Sequence, residues 1–83
     1  MKAAVYYGQR DVKLVDLPLP PVGDNDVLLQ NLTAGICGTD VQAWLHGPRA
    51  HKLKPGSEFG HEVVSRVVAM GRNVEGLEIG QRV

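Results

Sequence analysis

The chain has few of the features that would assign it to several large classes of protein. It contains one cysteine among 83 residues, which excludes an internal disulfide and is typical of a reducing compartment. Nine basic residues balance nine acidic ones, so no net charge favours nucleic acid or an anionic membrane. No apolar run is long enough for a signal peptide or a membrane span. We therefore expect a cytoplasmic protein that binds neither nucleic acid nor a membrane.

The bulk composition is that of a folded protein. Hydrophobic residues make up 43% of the chain and charged residues 22%, which fits a globular domain and argues against disorder. A chain of 83 residues is long enough for one domain at most. The sequence has no internal repeat and no low-complexity tract.

The hydrophobic pattern predicts mostly strands. Residues 2–7 and 12–16 are typical of an antiparallel hairpin, because turn-forming residues separate two β-prone runs. Residues 27–34 predict a third strand, and residues 49–58 read as a loop. Residues 61–70 predict a long valine-rich strand, with Ser65 and Arg66 at outward-facing or bulge positions, and residues 81–83 begin another strand.

One short stretch changes to a helical period. Residues 41–45 predict a short helix with Thr39 or Asp40 as its N-cap, since both side chains can accept a hydrogen bond from a free backbone N–H. Gly47 and Pro48 are expected to end it. Many short strands with one helix indicate a mostly β fold arranged as a partial barrel.

Two glycine-containing segments supply groups that could bind a metal. Residues 35–40 read Gly-Ile-Cys-Gly-Thr-Asp, and residues 60–62 read Gly-His-Glu. Together they provide the thiol of Cys37, the imidazole of His61 and the carboxylate of Glu62. A catalytic zinc ion typically takes three such protein ligands and keeps a fourth position open. Each residue also has a plainer interpretation, because a lone cysteine is most often a small buried side chain and a strand histidine a hydrogen-bonded one.

The sequences of these two segments resemble those of the zinc-containing medium-chain dehydrogenase/reductase family, which includes alcohol, sorbitol and threonine dehydrogenases. The resemblance implies that residues 1–83 are the N-terminal part of a GroES-like zinc-binding catalytic domain, incomplete at its C-terminal end. Members also carry a nucleotide-binding Rossmann domain. We expect that domain to be absent from this chain, which has no Gly-x-Gly-x-x-Gly. Five pieces in one order carry the resemblance: residues 1–5, 26–29, 35–40, 60–62 and 71–83.

The resemblance implies that Cys37 and His61 are zinc ligands. For Glu62 it leaves two alternatives, a direct ligand or a carboxylate beside the metal, because in some members a later residue supplies the third ligand. Adjacent strand residues point to opposite faces of a sheet. His61 and Glu62 can therefore share one metal only where the strand is bent or bulged.

The resemblance also gives roles to two residues that could otherwise be helix caps. Asp40 is expected to accept a hydrogen bond from the ring of His61, and the Thr39 hydroxyl to pass the substrate proton outward. The family often continues this relay with a histidine three residues later. Here that position holds Gln42, whose amide does not change protonation state. His46 is the alternative, although a surface histidine is the plainer reading.

The implied function is a zinc-dependent oxidoreductase acting on a small secondary alcohol or polyol. Zinc would polarise the substrate oxygen, and hydride would pass to NAD or NADP held by the missing domain. The complete enzyme is expected to be a homo-oligomer, and this chain alone is expected to be inactive. One alternative is a non-catalytic GroES-like assembly module. Another is a zinc-free, quinone-reductase-like member, a group that lacks the Cys37 and His61 pair.

Overall fold

A computed structural model describes residues 1–47 and 53–83 of the chain. Within these residues the protein is mostly strand with a single short helix, and its strands form one three-stranded and one two-stranded sheet. The predicted fold class is therefore confirmed. The elements in chain order are β1 (Lys2–Gly8), β2 (Asp11–Asp16), β3 (Val27–Gly35), α1 (Gly38–His46), β4 (Ser57–Glu58) and β5 (Glu62–Met70).

Strands β1 and β2 form the predicted antiparallel hairpin. Lys2 pairs with Asp16 at its open end, and Tyr6 pairs with Val12 near the turn. The turn places Arg10 at a φ of 58°, in the left-handed region that few side chains other than glycine adopt. The hairpin supplies two strands of a three-stranded sheet with the order β2-β1-β4, in which β1 is central.

Strand β4 was not expected, and the prediction of an uninterrupted loop over residues 49–58 is wrong at Ser57 and Glu58. These two residues pair antiparallel with Tyr6 and Val5 on the free edge of β1. Two residues carry no hydrophobic period of their own, so the pairing depends on the neighbouring strand rather than on local sequence. Residues 48–52 of the predicted loop lie outside the described residues.

The core beside the site is centred on Tyr6, which is fully buried. Its ring stacks on Phe59 with centroids 5.5 Å apart, and its hydroxyl donates a hydrogen bond to the Ala43 carbonyl at 3.1 Å. Ala43 is the buried apolar residue of α1, and Val5 of β1 is buried with it. One side chain therefore ties helix α1 to the sheet.

Helix α1 begins two or three residues earlier than predicted. Its N-cap is Cys37, in an extended conformation, so the prediction of Thr39 or Asp40 as N-cap is wrong. Asp40 instead lies in the first turn, where its carboxylate accepts the backbone N–H of Cys37 at 3.1 Å. The predicted end is confirmed, because Gly47 has a φ of 85° and closes the helix, while Pro48 lies outside the described residues.

The hairpin turn satisfies the carbonyl groups at the end of α1. The backbone N–H of Arg10 donates to the Trp44 carbonyl at 2.7 Å, and the Gln9 side-chain amide donates to the Leu45 carbonyl at 2.6 Å. The Arg10 guanidinium also lies 5.0 Å from the centroid of the Trp44 ring. Carbonyls that a helix leaves without partners are thus bonded to β1–β2.

A second compact unit contains Pro20–Ala34 and Val63–Val83, where β3 pairs with β5. Of the two positions predicted for Ser65, outward-facing or bulge, the first is wrong: Ser65 is 1% exposed, and its hydroxyl donates to the Asn31 side-chain oxygen at 2.8 Å. Ser65 shares a strand face with buried Val67, and its hydroxyl is accommodated because it has a partner. Arg66 is exposed and forms a bridge with Arg82, so the predicted final strand is limited to one bridge.

In the part of the chain that the structure describes, no helix is long and apolar enough to cross a bilayer.

The tie between Tyr6 and α1 can be tested by removing one oxygen atom. Tyr6→Phe keeps the stack on Phe59 and loses the hydrogen bond to Ala43, so the free energy of unfolding should fall by about 0.5–1.5 kcal/mol. Urea unfolding followed by the fluorescence of Trp44, the only tryptophan, measures this. Tyr7→Phe is the matched control, because Tyr7 is 41% exposed, and it should change stability by less than about 0.5 kcal/mol. Equal losses in the two variants would contradict this role of Tyr6.

Candidate metal site

The structure brings together the three residues predicted as metal ligands. One donor atom each from Cys37, His61 and Glu62 lies within 4.8 Å of the other two. Tetrahedral zinc with bonds of 2.0–2.3 Å holds its ligand atoms about 3.4–3.7 Å apart. Closing the present spacing requires movements of about 1 Å, which side-chain rotations supply. The donor set is therefore compatible with one small metal ion.

Cys37 is placed at the joint between β3 and α1. It is half-buried and is the last extended residue before the helix begins. The start of a helix carries free backbone N–H groups and a partial positive charge, which stabilises a thiolate. The sequence at residues 35–40 thus positions its thiol where the metal-binding form of cysteine is favoured.

His61 and Glu62 can both direct a donor atom toward Cys37 because β5 starts later than predicted. The strand begins at Glu62 and not at His61. Gly60, with a φ of 103°, turns the chain just before it, a conformation that other residues rarely adopt. The alternation of strand side chains therefore does not apply to His61, and both donors reach one point without a bulge.

Gly35 has no side chain, and the Glu62 carboxylate lies beside the space that a side chain would fill. A Cβ atom built on Gly35 would lie 3.3 Å from Oε2 of Glu62 and 3.7 Å from its Cβ. A larger residue at this position would push the carboxylate away. Gly38 follows the cysteine. A Cβ atom built on Gly38 would have no other atom within 4 Å, so the space beside this residue is open.

Asp40 contacts both segments of the site. Its side chain is largely buried; one oxygen accepts the backbone N–H of Cys37 at 3.1 Å, and the other lies 3.3 Å from Nδ1 of His61. With Nδ1 beside a carboxylate, Nε2 is the nitrogen left for another partner. This is the arrangement in which an outer carboxylate orients a ligating histidine.

Electrostatics in the site favour ionised groups on Cys37 and His61. Hydrogen bonding from the Thr39 side chain and backbone, and then from His61, lowers the pKa of the Cys37 thiol, against burial and the charge of Glu62. The pKa of His61 is raised, first by hydrogen bonding to Cys37 and further by the negative charges of Asp40, Cys37 and Glu62, against burial. Metal binding requires the thiolate of Cys37 and the neutral imidazole of His61, so the lowered thiol pKa favours it, whereas His61 must give up its proton when a metal binds.

A cleft of about 320 Å³ opens beside these residues. Thr39 and His61 both border it, so a small molecule can reach the exposed Thr39 hydroxyl and the histidine ring together. Gln42 and His46 are exposed on α1 and are not among the residues that line the cleft. Among the described residues the lining consists of Thr39, Asp40, Leu53, Glu58, Phe59, Gly60 and His61.

Sequence reasoning did not identify Leu53, Glu58 and Phe59 as neighbours of the site. Their only signal is that they precede His61 by a few residues. They reach the cleft because β4 pairs with β1, and this pairing was itself not predicted.

Comparison with known proteins identifies the family. The alcohol dehydrogenase GroES-like domain matches residues 23–83. The chain belongs to this family. The match confirms the resemblance inferred from the Cys-Gly-Thr-Asp and Gly-His-Glu segments.

Relatives of the chain include several dehydrogenases. It is 42% identical to L-threonine 3-dehydrogenase of Chromobacterium violaceum over 73 residues, which cover 87% of the chain and 21% of that protein. It is 40% identical to sorbitol dehydrogenase of Mus musculus over 80 residues, which cover 95% of the chain and 22% of that protein. The chain therefore spans about a fifth of the length of these relatives.

Solved structures of the family have the same fold. A 2R,3R-butanediol dehydrogenase from Bacillus subtilis matches with a TM-score of 0.86 and 28% identity, over 98% of this chain and 26% of that one. The alcohol dehydrogenase TADH from Thermus sp. ATN1 matches with a TM-score of 0.82 and 30% identity, over 99% of this chain and 23% of that one.

The influence of Thr39 on Cys37 gives a test of the site's electrostatics. Thr39→Val removes the hydroxyl that contributes most to lowering the thiol pKa, so alkylation of the metal-free protein by iodoacetamide should need a higher pH. The midpoint of the rate against pH measures the change. Thr33→Val, an exposed change in β3, is the control and should leave the midpoint in place. An unchanged midpoint in Thr39→Val would contradict this hydrogen bonding.

Proposed function

We propose that residues 1–83 are the zinc-binding part of an NAD(P)-dependent dehydrogenase that oxidises a small secondary alcohol or polyol. The observation that carries the proposal is the convergence of a thiol, an imidazole and a carboxylate within 4.8 Å of one another. Relatives named for threonine, sorbitol and butanediol support the reaction class. Since the chain spans about a fifth to a quarter of their length, the activity belongs to the complete enzyme.

The residues present fit zinc by the chemistry of their donors. Cys37, His61 and Glu62 supply the sulfur, nitrogen and oxygen ligands that zinc accepts, and three protein ligands leave one position for substrate. A zinc ion bound there would act as a Lewis acid and lower the pKa of a substrate hydroxyl. Between the two alternatives for Glu62, its place within the donor group supports direct ligation.

Asp40 and Thr39 would support the reaction in different ways. Asp40 keeps the ring of His61 oriented through Nδ1 and holds the segment that carries Cys37. Thr39 presents its hydroxyl at the cleft, where it would accept the proton from the substrate hydroxyl. Because Gln42 and His46 do not line the cleft, Thr39 would pass this proton to solvent directly.

The nicotinamide cofactor is proposed to bind outside these residues. A dinucleotide needs a glycine-rich turn between a strand and a helix, and the sequence has no Gly-x-Gly-x-x-Gly. The residues of this chain therefore do not fit NAD or NADP. The complete enzyme is proposed to be a cytoplasmic homo-oligomer, with its Rossmann domain supplied by residues beyond this domain.

The observations favour this function over two others. A non-catalytic assembly module needs no converging thiol, imidazole and carboxylate. A zinc-free, quinone-reductase-like protein lacks the pair formed by Cys37 and His61. A metal assay on the purified complete enzyme separates the proposal from both.

Replacing a ligand should remove the metal. In the complete enzyme, Cys37→Ser and His61→Gln should each bring the zinc content close to zero and abolish most alcohol oxidation. Elemental analysis and a turnover assay measure the two effects. His46→Gln is the matched control, because His46 is exposed at the end of α1, and it should retain wild-type zinc. Full zinc occupancy in Cys37→Ser would place the metal elsewhere.

The charge of Glu62 can be removed at constant volume. Glu62→Gln should weaken zinc retention and lower kcat and kcat/KM together by about 10–100-fold, as loss of a transition-state interaction does. Zinc release to a chelator and steady-state kinetics provide the measurements. Glu75→Gln removes an exposed charge of the other compact unit and serves as the control. Wild-type zinc affinity and kcat in Glu62→Gln would mean that a residue outside this chain completes the ligand set.

The isolated chain should bind zinc and catalyse nothing. It has no dinucleotide fingerprint, so it lacks an acceptor site for hydride. Absorbance at the wavelength of reduced nicotinamide, recorded with purified 83-residue protein and a panel of alcohols, should stay flat. Alcohol-dependent reduction of NAD or NADP by this chain would contradict the proposed division of roles.

A further inference from the structure

Glu58 lines the cleft but has no part in the function proposed so far. It lies three residues before His61, and it does not belong to the group of donor atoms formed by Cys37, His61 and Glu62. Within residues 1–47 and 53–83, no ion pair involves its carboxylate, and the residue is exposed. A charged side chain in a substrate-sized cleft affects what can bind there.

The backbone of Glu58 is held on both sides. It pairs with Val5 in β1, and the next residue, Phe59, donates its backbone N–H to the Ala4 carbonyl at 2.9 Å. The Phe59 ring stacks on buried Tyr6. The backbone that carries the Glu58 side chain is therefore held in place beside the cleft.

The cleft offers different chemistry along its lining. Thr39 and His61 border it where the reacting hydroxyl is proposed to bind, Leu53 and Phe59 supply apolar surface, and Glu58 supplies a negative charge. A volume of about 320 Å³ is at the small end of ligand sites, so the cleft suits a small substrate. A substrate held at Thr39 and His61 therefore shares the cleft with Glu58.

We propose that Glu58 is a specificity residue that selects alcohols carrying a second hydrogen-bond donor, a hydroxyl or an ammonium group, beside the reacting carbon. The proposal rests on the dehydrogenase function proposed above. The carboxylate accepts a hydrogen bond from such a donor, and hydrogen bonds to charged groups are stronger than those between neutral groups. A purely alkyl substrate would cover the carboxylate and give it no partner, which disfavours binding.

Three substrates of nearly equal size test the proposal in the zinc-loaded complete enzyme. Butan-2-ol, propane-1,2-diol and 1-aminopropan-2-ol differ only in a terminal methyl, hydroxyl or ammonium group. The measured quantity is kcat/KM for each polar substrate divided by kcat/KM for butan-2-ol. Glu58→Leu should lower at least one of these two ratios about 10-fold, because the variant cannot accept a hydrogen bond. Glu75→Leu is the control for adding leucine at an exposed carboxylate position.

Glu58→Gln distinguishes the two donors. Its amide oxygen still accepts a hydrogen bond from a hydroxyl, so a diol-selective enzyme should keep its ratio within about threefold. An enzyme that selects the ammonium group should lose about tenfold, because the opposite charge is gone. Glutamine is close to glutamate in size, so this variant also separates the loss of charge from a failure to fold.

Two results would overturn the proposal, and they can be told apart. If both ratios in Glu58→Leu stay within about twofold of wild type, Glu58 does not set specificity, while the dehydrogenase function stands. If the zinc-loaded wild-type enzyme oxidises none of the three alcohols, nor any in a wider panel, with NAD or NADP, the proposed function itself fails and the role of Glu58 fails with it.

Discussion

The buried carboxylate of Asp40 joins the two segments that supply the metal donors. One oxygen holds the backbone of Cys37, and the other lies against Nδ1 of His61, although the two residues are far apart in sequence. The carboxylate lies in the first turn of α1, where a negative charge is favoured by the helix dipole. Without it, the cysteine and the histidine would have no common anchor.

Helix α1 can hold this carboxylate in place because its other end is fixed. The Tyr6 hydroxyl and the hairpin turn at Gln9 and Arg10 bond its last carbonyls. The same sheet positions β4, and with it the strand segment that leads to His61. The candidate metal donors and the cleft therefore depend on one small core around Tyr6, which explains how a domain of this size can present several side chains together.

The sequence predicts the chemistry of the site better than its detailed geometry. The hairpin, the short helix and the glycine that ends it follow from local patterns, as do Cys37, His61 and Glu62 as candidates. Strand β4 could not be predicted, because two residues without a hydrophobic period form a strand only through their neighbour. The N-cap was misplaced for a different, local reason, since Asp40 bonds backward to Cys37 from inside the first turn.

Buried polar groups were the other source of error. Ser65 was expected at an outward-facing or bulge position, and it is buried with its hydroxyl donating a hydrogen bond to Asn31. The hydrogen-bond partner comes from β3, distant in sequence, so no local pattern contains this information. The same is true of Gly35, whose missing side chain makes room for Glu62.

The central claim is that Cys37, His61 and Glu62 hold one metal ion. X-ray absorption spectroscopy at the zinc K-edge of the complete enzyme tests it most directly, because sulfur and lighter ligands differ in distance and scattering. The account predicts one sulfur at about 2.3 Å, with the remaining ligands nitrogen or oxygen at about 2.0–2.2 Å. A shell without sulfur would contradict the role of Cys37, and a shell with two sulfurs would contradict Glu62 as the third ligand.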